Sequence, residues 1–114
     1  MNRKEIGFLN EKKAQQIIQE KGYEILDTNF SCPYGEIDII CRDGDCIVFI
    51  EVRSKKNPNF GLPEETVTPV KQKKIVKTAQ YYLSINNVDF EQVRFDVVSI
   101  LGNKIKHIKS AFEV

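Results

Sequence analysis

The chain has 114 residues, of which 41% are hydrophobic and 29% charged, with a formal net charge of +1. That is enough chain for one real core and too little for two, so residues 1–114 are read as one domain. The near-zero charge excludes a globally basic nucleic-acid binder. No apolar run is long enough for a membrane span and no signal-peptide core follows Met1, so the expected location is the cytoplasm.

A first helix is predicted from Arg3 or Lys4 to Glu20, closed by Lys21-Gly22. Ile6, Leu9, Ala14, Ile17 and Ile18 form its apolar stripe, with Glu11 at the margin. A strand follows in residues 23–30, broken near Cys32-Pro33-Tyr34-Gly35. The next two strands read as the arms of a β-hairpin, because apolar β-formers flank Asp43-Gly44. If that pair is a two-residue loop, Cys41 lies opposite Cys46, Asp38 opposite Phe49, and Glu36 opposite Glu51. Alternation then puts Glu36, Asp38, Glu51 and Arg53 on one face, with Asp38 and Glu51 diagonal neighbours at roughly 7 Å. Opposed carboxylates repel unless a cation sits between them, and a divalent metal is the obvious candidate.

Residues 54–67 carry Asn57-Pro58-Asn59-Phe60-Gly61-Leu62-Pro63 without periodicity and are expected to form a long loop. Thr68-Pro69 then starts a second helix reaching Ile85, with Ile75, Ala79, Tyr82 and Leu83 buried and Gln72 one turn earlier. Residues 94–101 form a strand that a crossover connection makes parallel to its neighbour, and Gly102-Asn103 leads to a last strand over 104–108. The order is α-β-β-β-α-β-β, a mixed β-sheet flanked by helices.

Three cysteines carry no disulfide-scaffold or CxxC spacing. Buried, reduced thiols are the simpler reading, with an oxidised Cys41–Cys46 pair or a zinc site including His107 as alternatives. Arg94 and Asp96, two apart on a strand, read as a structural pair, and His107 reads as exposed. Phe60 and Tyr34 are expected to pack in core or loop, with base stacking as the alternative. Residues 53–77 hold seven basic side chains against two acidic ones. A carboxylate cluster beside such a basic stretch suits a metal-held, phosphate-bearing substrate, while charge alone suits a solvated helix face.

Five stretches resemble the YraN-like family, a bacterial group similar to Holliday junction resolvases. They are Gly7-Phe8-Leu9-Asn10-Glu11-Lys12-Lys13-Ala14, Gly35-Glu36-Ile37-Asp38-Ile39-Ile40, Val48-Phe49-Ile50-Glu51-Val52-Arg53-Ser54, Val67-Thr68-Pro69-Val70-Lys71-Gln72-Lys73-Lys74 and Arg94-Phe95-Asp96-Val97-Val98. The resemblance implies a restriction-endonuclease-like fold and hydrolysis of phosphodiester bonds in DNA, branched or otherwise structured, with Mg2+ or Mn2+. Asp38, Glu51 and the Val52 carbonyl would hold the metal, with Glu11 and Gln72 beside it. Arg53 stands where the wider superfamily has lysine; it can bind phosphate but cannot serve as a base. Arg53, Lys55, Lys56, Lys71, Lys73 and Lys74 are the expected nucleic-acid contacts. A homodimer would suit a two-fold symmetric junction. Two other classes remain: a non-catalytic nucleic-acid-binding module that kept the fold, and a protein-interaction domain with merely solvated charges.

Overall fold

The Asn2 side chain accepts a hydrogen bond from the Glu5 N–H at 2.9 Å and so starts helix α1 (Arg3–Glu20). At the other end the Gly22 N–H donates to the Gln19 carbonyl and the Tyr23 N–H to that of Ile18. Gly22 sits at φ +88°, a conformation that closes helices and favours glycine. These bounds match the sequence reading, but the stripe does not. Only Ala14 and Ile18 are buried, whereas Ile6 and Leu9 are 37% and 41% exposed. The C-terminal half of α1 covers the sheet and the N-terminal half overhangs it.

The computed structural model describes residues 1–113; residue 114 of the expected domain lies outside them. Five strands form one sheet: β1 (Glu24–Cys32), β2 (Gly35–Asp43), β3 (Cys46–Lys55), β4 (Gln92–Leu101) and β5 (Lys104–Phe112), in spatial order β1-β2-β3-β4-β5. All neighbours are antiparallel except β3 and β4, which run parallel as the crossover requires. That crossover contains helix α2 (Pro69–Ile85), capped by the Thr68 hydroxyl, which accepts from the Lys71 N–H. It also holds a one-turn 3₁₀ helix at Pro63–Thr66 where an unbroken loop was expected. No helix among the described residues is long and apolar enough to cross a membrane.

Each helix covers one face. Ala14 and Ile18 of α1 pack with Ile39, Cys41, Val48, Ile50, Val98 and Ile100. Ile75, Ala79 and Tyr82 of α2 pack with Ile40, Ile47, Phe49 and Phe95 on the other side. With both faces covered, the run from Cys46 to Ile50 is wholly buried, which explains its unbroken apolar character.

The hairpin register differs from the expected one by two residues. Asp43 pairs with Cys46, Cys41 with Val48 and Ile40 with Phe49, so the loop is Gly44–Asp45. Gly44 alone takes a positive φ there, +62°, and a loop of that kind places glycine first. A two-residue slip preserves every side chain's face, which is why the alternation could not reveal it. Cys41 and Cys46 are buried free thiols rather than a facing pair.

Asp96 is 1% exposed and accepts from Arg94 Nε at 2.9 Å, Arg94 Nη2 at 3.0 Å and the Ser110 N–H at 3.0 Å. Arg94 also reaches Asp43 and Tyr23, both at 3.0 Å. His107, expected to be exposed, has a side chain only 2% accessible and meets Asp96 at 2.7 Å. Lys104, Lys106 and Lys109 surround it in the chain, but it lies opposite Val98 on the covered face of the sheet. The last strand also runs four residues past its expected end.

Candidate functional site

The site lies where β2 and β3 part. Their ladder ends at the pair Ile39–Ile50. Ile39 and Cys41 pack on the α1 side and Ile40 on the α2 side, yet Ile37 also packs on the α2 side. Strict alternation therefore fails between Ile37 and Ile39. The adjoining β1 bends at the same level, with Asn29 at φ +53°. Into the opening goes Asp38, whose Oδ2 accepts from the Val52 N–H at 2.8 Å, replacing a ladder carbonyl. Glu36 pairs with Ser31 on β1 and is exposed, so it is not Glu51's partner across the hairpin. One step beyond the ladder, Asp38 itself stands across from Glu51.

The result is a cleft of about 360 Å³ lined by Asp38, Glu51, Arg53, Tyr34, Lys71 and Lys74, among others. Gly35 makes room for it. A Cβ there would stand 3.3 Å from Thr78 Oγ1, and its φ of +151° disfavours other residues, so glycine lets β2 begin hard against α2. From the other side Asn10 Nδ2 donates to Ser54 Oγ at 2.9 Å, pinning α1 to the end of β3 beside Glu11.

Burial dominates the electrostatics. Glu51 is 5% exposed, and burial followed by the nearby Asp38 charge pushes its carboxyl up to about 8, against the pull of Arg53 and Lys71. Asp38 is raised, chiefly by burial, although the Val52 N–H and Arg53 oppose the shift. Glu11 is raised by burial and then by the neighbouring Asp38 charge. Arg53 Nη2 lies 3.1 Å from Glu51 Oε2. Two buried atoms in the cleft have no hydrogen-bond partner among the described residues: Glu51 Oε1 and Arg53 Nε.

Of the expected site residues, Asp38, Glu51, Arg53, Lys71 and Lys74 line one cleft, with Glu11 against Asp38. Others go elsewhere. Gln72 donates to the Val67 carbonyl at 3.0 Å and, with Lys73, lines a separate hollow on α2. Lys55 braces the following loop through the Phe60 carbonyl at 2.9 Å, and Lys56 is exposed. Tyr34, expected in core or loop packing, is instead 52% exposed at the cleft rim. Its position after Pro33 at a strand break was the available signal.

Among the described residues, no three His, Cys, Asp or Glu side chains converge as a ready-made metal cage. The donors present are nevertheless the hard oxygens that Mg2+ or Mn2+ takes, and such ions commonly bind through one or two carboxylates plus water and phosphate. The orphaned Glu51 Oε1 and the raised proton affinity of all three carboxyls fit a site that a cation would relieve.

The sequence pattern of the Uncharacterised protein family UPF0102 matches residues 10–100. The chain belongs to that family. The match is the YraN-like group that the sequence motifs resembled, and its span includes Glu11, Asp38, Glu51 and Arg53. UPF0102 relatives include a protein of Persephonella marina, 48% identical over 95% of this chain and 93% of its own length. A Syntrophus aciditrophicus relative is 46% identical over 95% and 88% of the two chains. UPF0102 protein TTE1452 of Caldanaerobacter subterraneus is 44% identical over 98% of each.

Proposed function

We propose that the cleft hydrolyses phosphodiester bonds in DNA with Mg2+ or Mn2+ held by Asp38, Glu51 and the Val52 carbonyl. The observation that carries this reading is the buried, unpartnered Glu51 Oε1 beside Asp38, in a cleft rimmed by Arg53, Lys71 and Lys74. A bound ion supplies charge neutralisation at the phosphate and an acidified water. The chain's own groups do the rest. Arg53, whose side chain is 24% exposed in the cleft, can donate a charge-assisted hydrogen bond to a phosphate oxygen. Glu11 stands against Asp38 with its proton affinity raised by burial, and Lys71 and Lys74 draw the backbone towards the carboxylates. The sequence carries no base-reading motif, so contacts are to phosphates and structure rather than sequence is selected. The likeness to restriction-endonuclease-like and junction-resolving nucleases supports branched DNA as substrate, with a homodimer matching a two-fold junction, in a cytoplasm that keeps the three thiols reduced.

One observation favours a second reading. Arg53, at the position of the superfamily's lysine, is paired with Glu51 and cannot act as a base, as in a binding module that has lost turnover. Labelled duplex, flap and four-way-junction DNA incubated with Mg2+ or Mn2+ separates the two. Cleavage that disappears in Glu51→Gln, with the circular dichroism spectrum unchanged, establishes the hydrolase. Salt-sensitive binding without cleavage under either metal establishes the module.

A further inference from the structure

A second hollow, about 450 Å³, adjoins the carboxylate cleft and shares Tyr34 with it; Lys77, Gln80, Tyr81 and Ser84 of α2 complete its lining. Lys71, Lys74 and Lys77 recur every third residue and Tyr81 follows four later, so they form one ridge along the helix. At 1.5 Å rise per residue, the ridge from Lys71 to Tyr81 is roughly 15 Å long. Tyr34 and Tyr81 are 52% and 36% exposed, with ring centroids 6.1 Å apart at 65°. Tyr81 is backed by Phe30 at 6.3 Å, and Phe30 by Tyr82 at 5.1 Å, which anchors the aromatic shelf to the core. Among the described residues, no acidic side chain lines this second hollow.

We infer that this groove holds an unpaired DNA strand leading away from the carboxylate cleft, so that the substrate carries a single-stranded segment beside the scissile phosphate. The inference rests on the hydrolase reading for the cleft, but the groove's binding stands on its own residues. Lysines at regular spacing follow a phosphate backbone, and exposed rings beside them offer stacking faces to bases. In a duplex those base faces are already stacked inside the helix, so Tyr34 and Tyr81 can engage them only when the strand is unpaired. Stacking of this kind tolerates any base, in keeping with a chain that has no base-reading motif.

The test is fluorescence anisotropy of the full chain, in chelator, with a labelled oligothymidylate and a labelled blunt duplex as probes. Tyr34→Leu and Tyr81→Leu should each weaken oligothymidylate binding about tenfold, Tyr81→Leu should leave duplex affinity unchanged, and Tyr34→Phe should retain binding. Lys77→Gln should reduce the slope of log affinity against log salt by about 0.7. The chain has no tryptophan, so stacking should also quench its tyrosine emission directly. Leucine variants that bind oligothymidylate like the parent, or that lose duplex equally, overturn the groove, as does a parent that prefers duplex or binds neither probe. Metal-dependent cleavage is measured separately. The expected binding pattern without cleavage removes the hydrolase reading and leaves the groove; cleavage of blunt duplex that ignores both leucine variants does the reverse.

Discussion

Replacing Glu51 by glutamine should make the protein more stable in alkali, although it removes half of an ion pair. The wild-type carboxyl, ordinarily near 4.5, is pushed up to about 8 by burial and by Asp38. Between those values the folded chain keeps a proton that the unfolded chain has released, so stability falls as pH rises. Below the lower value both states are protonated, and above the upper one both are ionised, so the slope vanishes at each end. At about 1.4 kcal/mol per pH unit, the window corresponds to a ceiling on the order of 4–5 kcal/mol. Glu11 and Asp38 shift in the same direction and share the protons, so the loss belongs to the cluster. Glutamine keeps the shape without the charge. Near pH 5 the two proteins should therefore melt alike, and near pH 9 the variant should melt higher by on the order of 10 °C. Circular dichroism melts across that range, in chelator, make the comparison. A wild type whose melting temperature holds steady from neutral to alkaline pH, or a variant that falls in parallel with it, refutes the reasoning.

A divalent cation should undo the same penalty. At pH 8, Mn2+ at a hundred times its dissociation constant should add about 2.7 kcal/mol to wild-type stability and nothing to Asp38→Asn, read from melts with and without metal. Asp96→Asn should cost about 3–5 kcal/mol by urea titration, because Arg94 and His107 would face a neutral amide in a covered site. Burial alone would raise Asp96, but hydrogen bonds from His107, Arg94 and the Ser110 N–H outweigh it and hold the carboxyl below 3.8. Its contribution is therefore present above that value and is lost as acid protonates it, so the variant should show a shallower loss of stability in strong acid. Burial pushes the Cys41 thiol up to about 12. Iodoacetamide at mildly alkaline pH should therefore label half-buried Cys32 while sparing Cys41, as peptide mass spectrometry would show.

Much of the architecture was legible because its causes are local. The Gly22 closure of α1, the Thr68 cap of α2 and the parallel crossover each depend on a few adjacent residues or on connection length alone. The Arg94–Asp96 pair was legible for the same reason. The hairpin register was not, because loops at Asp43-Gly44 and at Gly44-Asp45 present identical faces, and what separates them is the pairing of Asp43 with Cys46 and a positive φ at Gly44 alone. Nor was the overhang of α1, since a helix's own periodicity does not say how far the sheet beneath it extends. His107 misled for a related reason: nearby lysines say nothing of what covers a side chain, and its cover comes from Val98 and Asp96 across the sheet.

The amino-acid order by itself determined which side chains could meet: acids on two neighbouring strands, a third on the first helix, and a basic second helix to follow. Alternation and helical spacing are properties of the chain, and they survive a register slip of two. Only the tertiary structure decided how deeply Glu51 is buried, that Asp38 fills the gap between parting strands, and that Tyr34 meets Tyr81 beside the lysine ridge. Solvent exclusion and close approach set proton affinity and binding shape, and both arise from segments far apart in the chain.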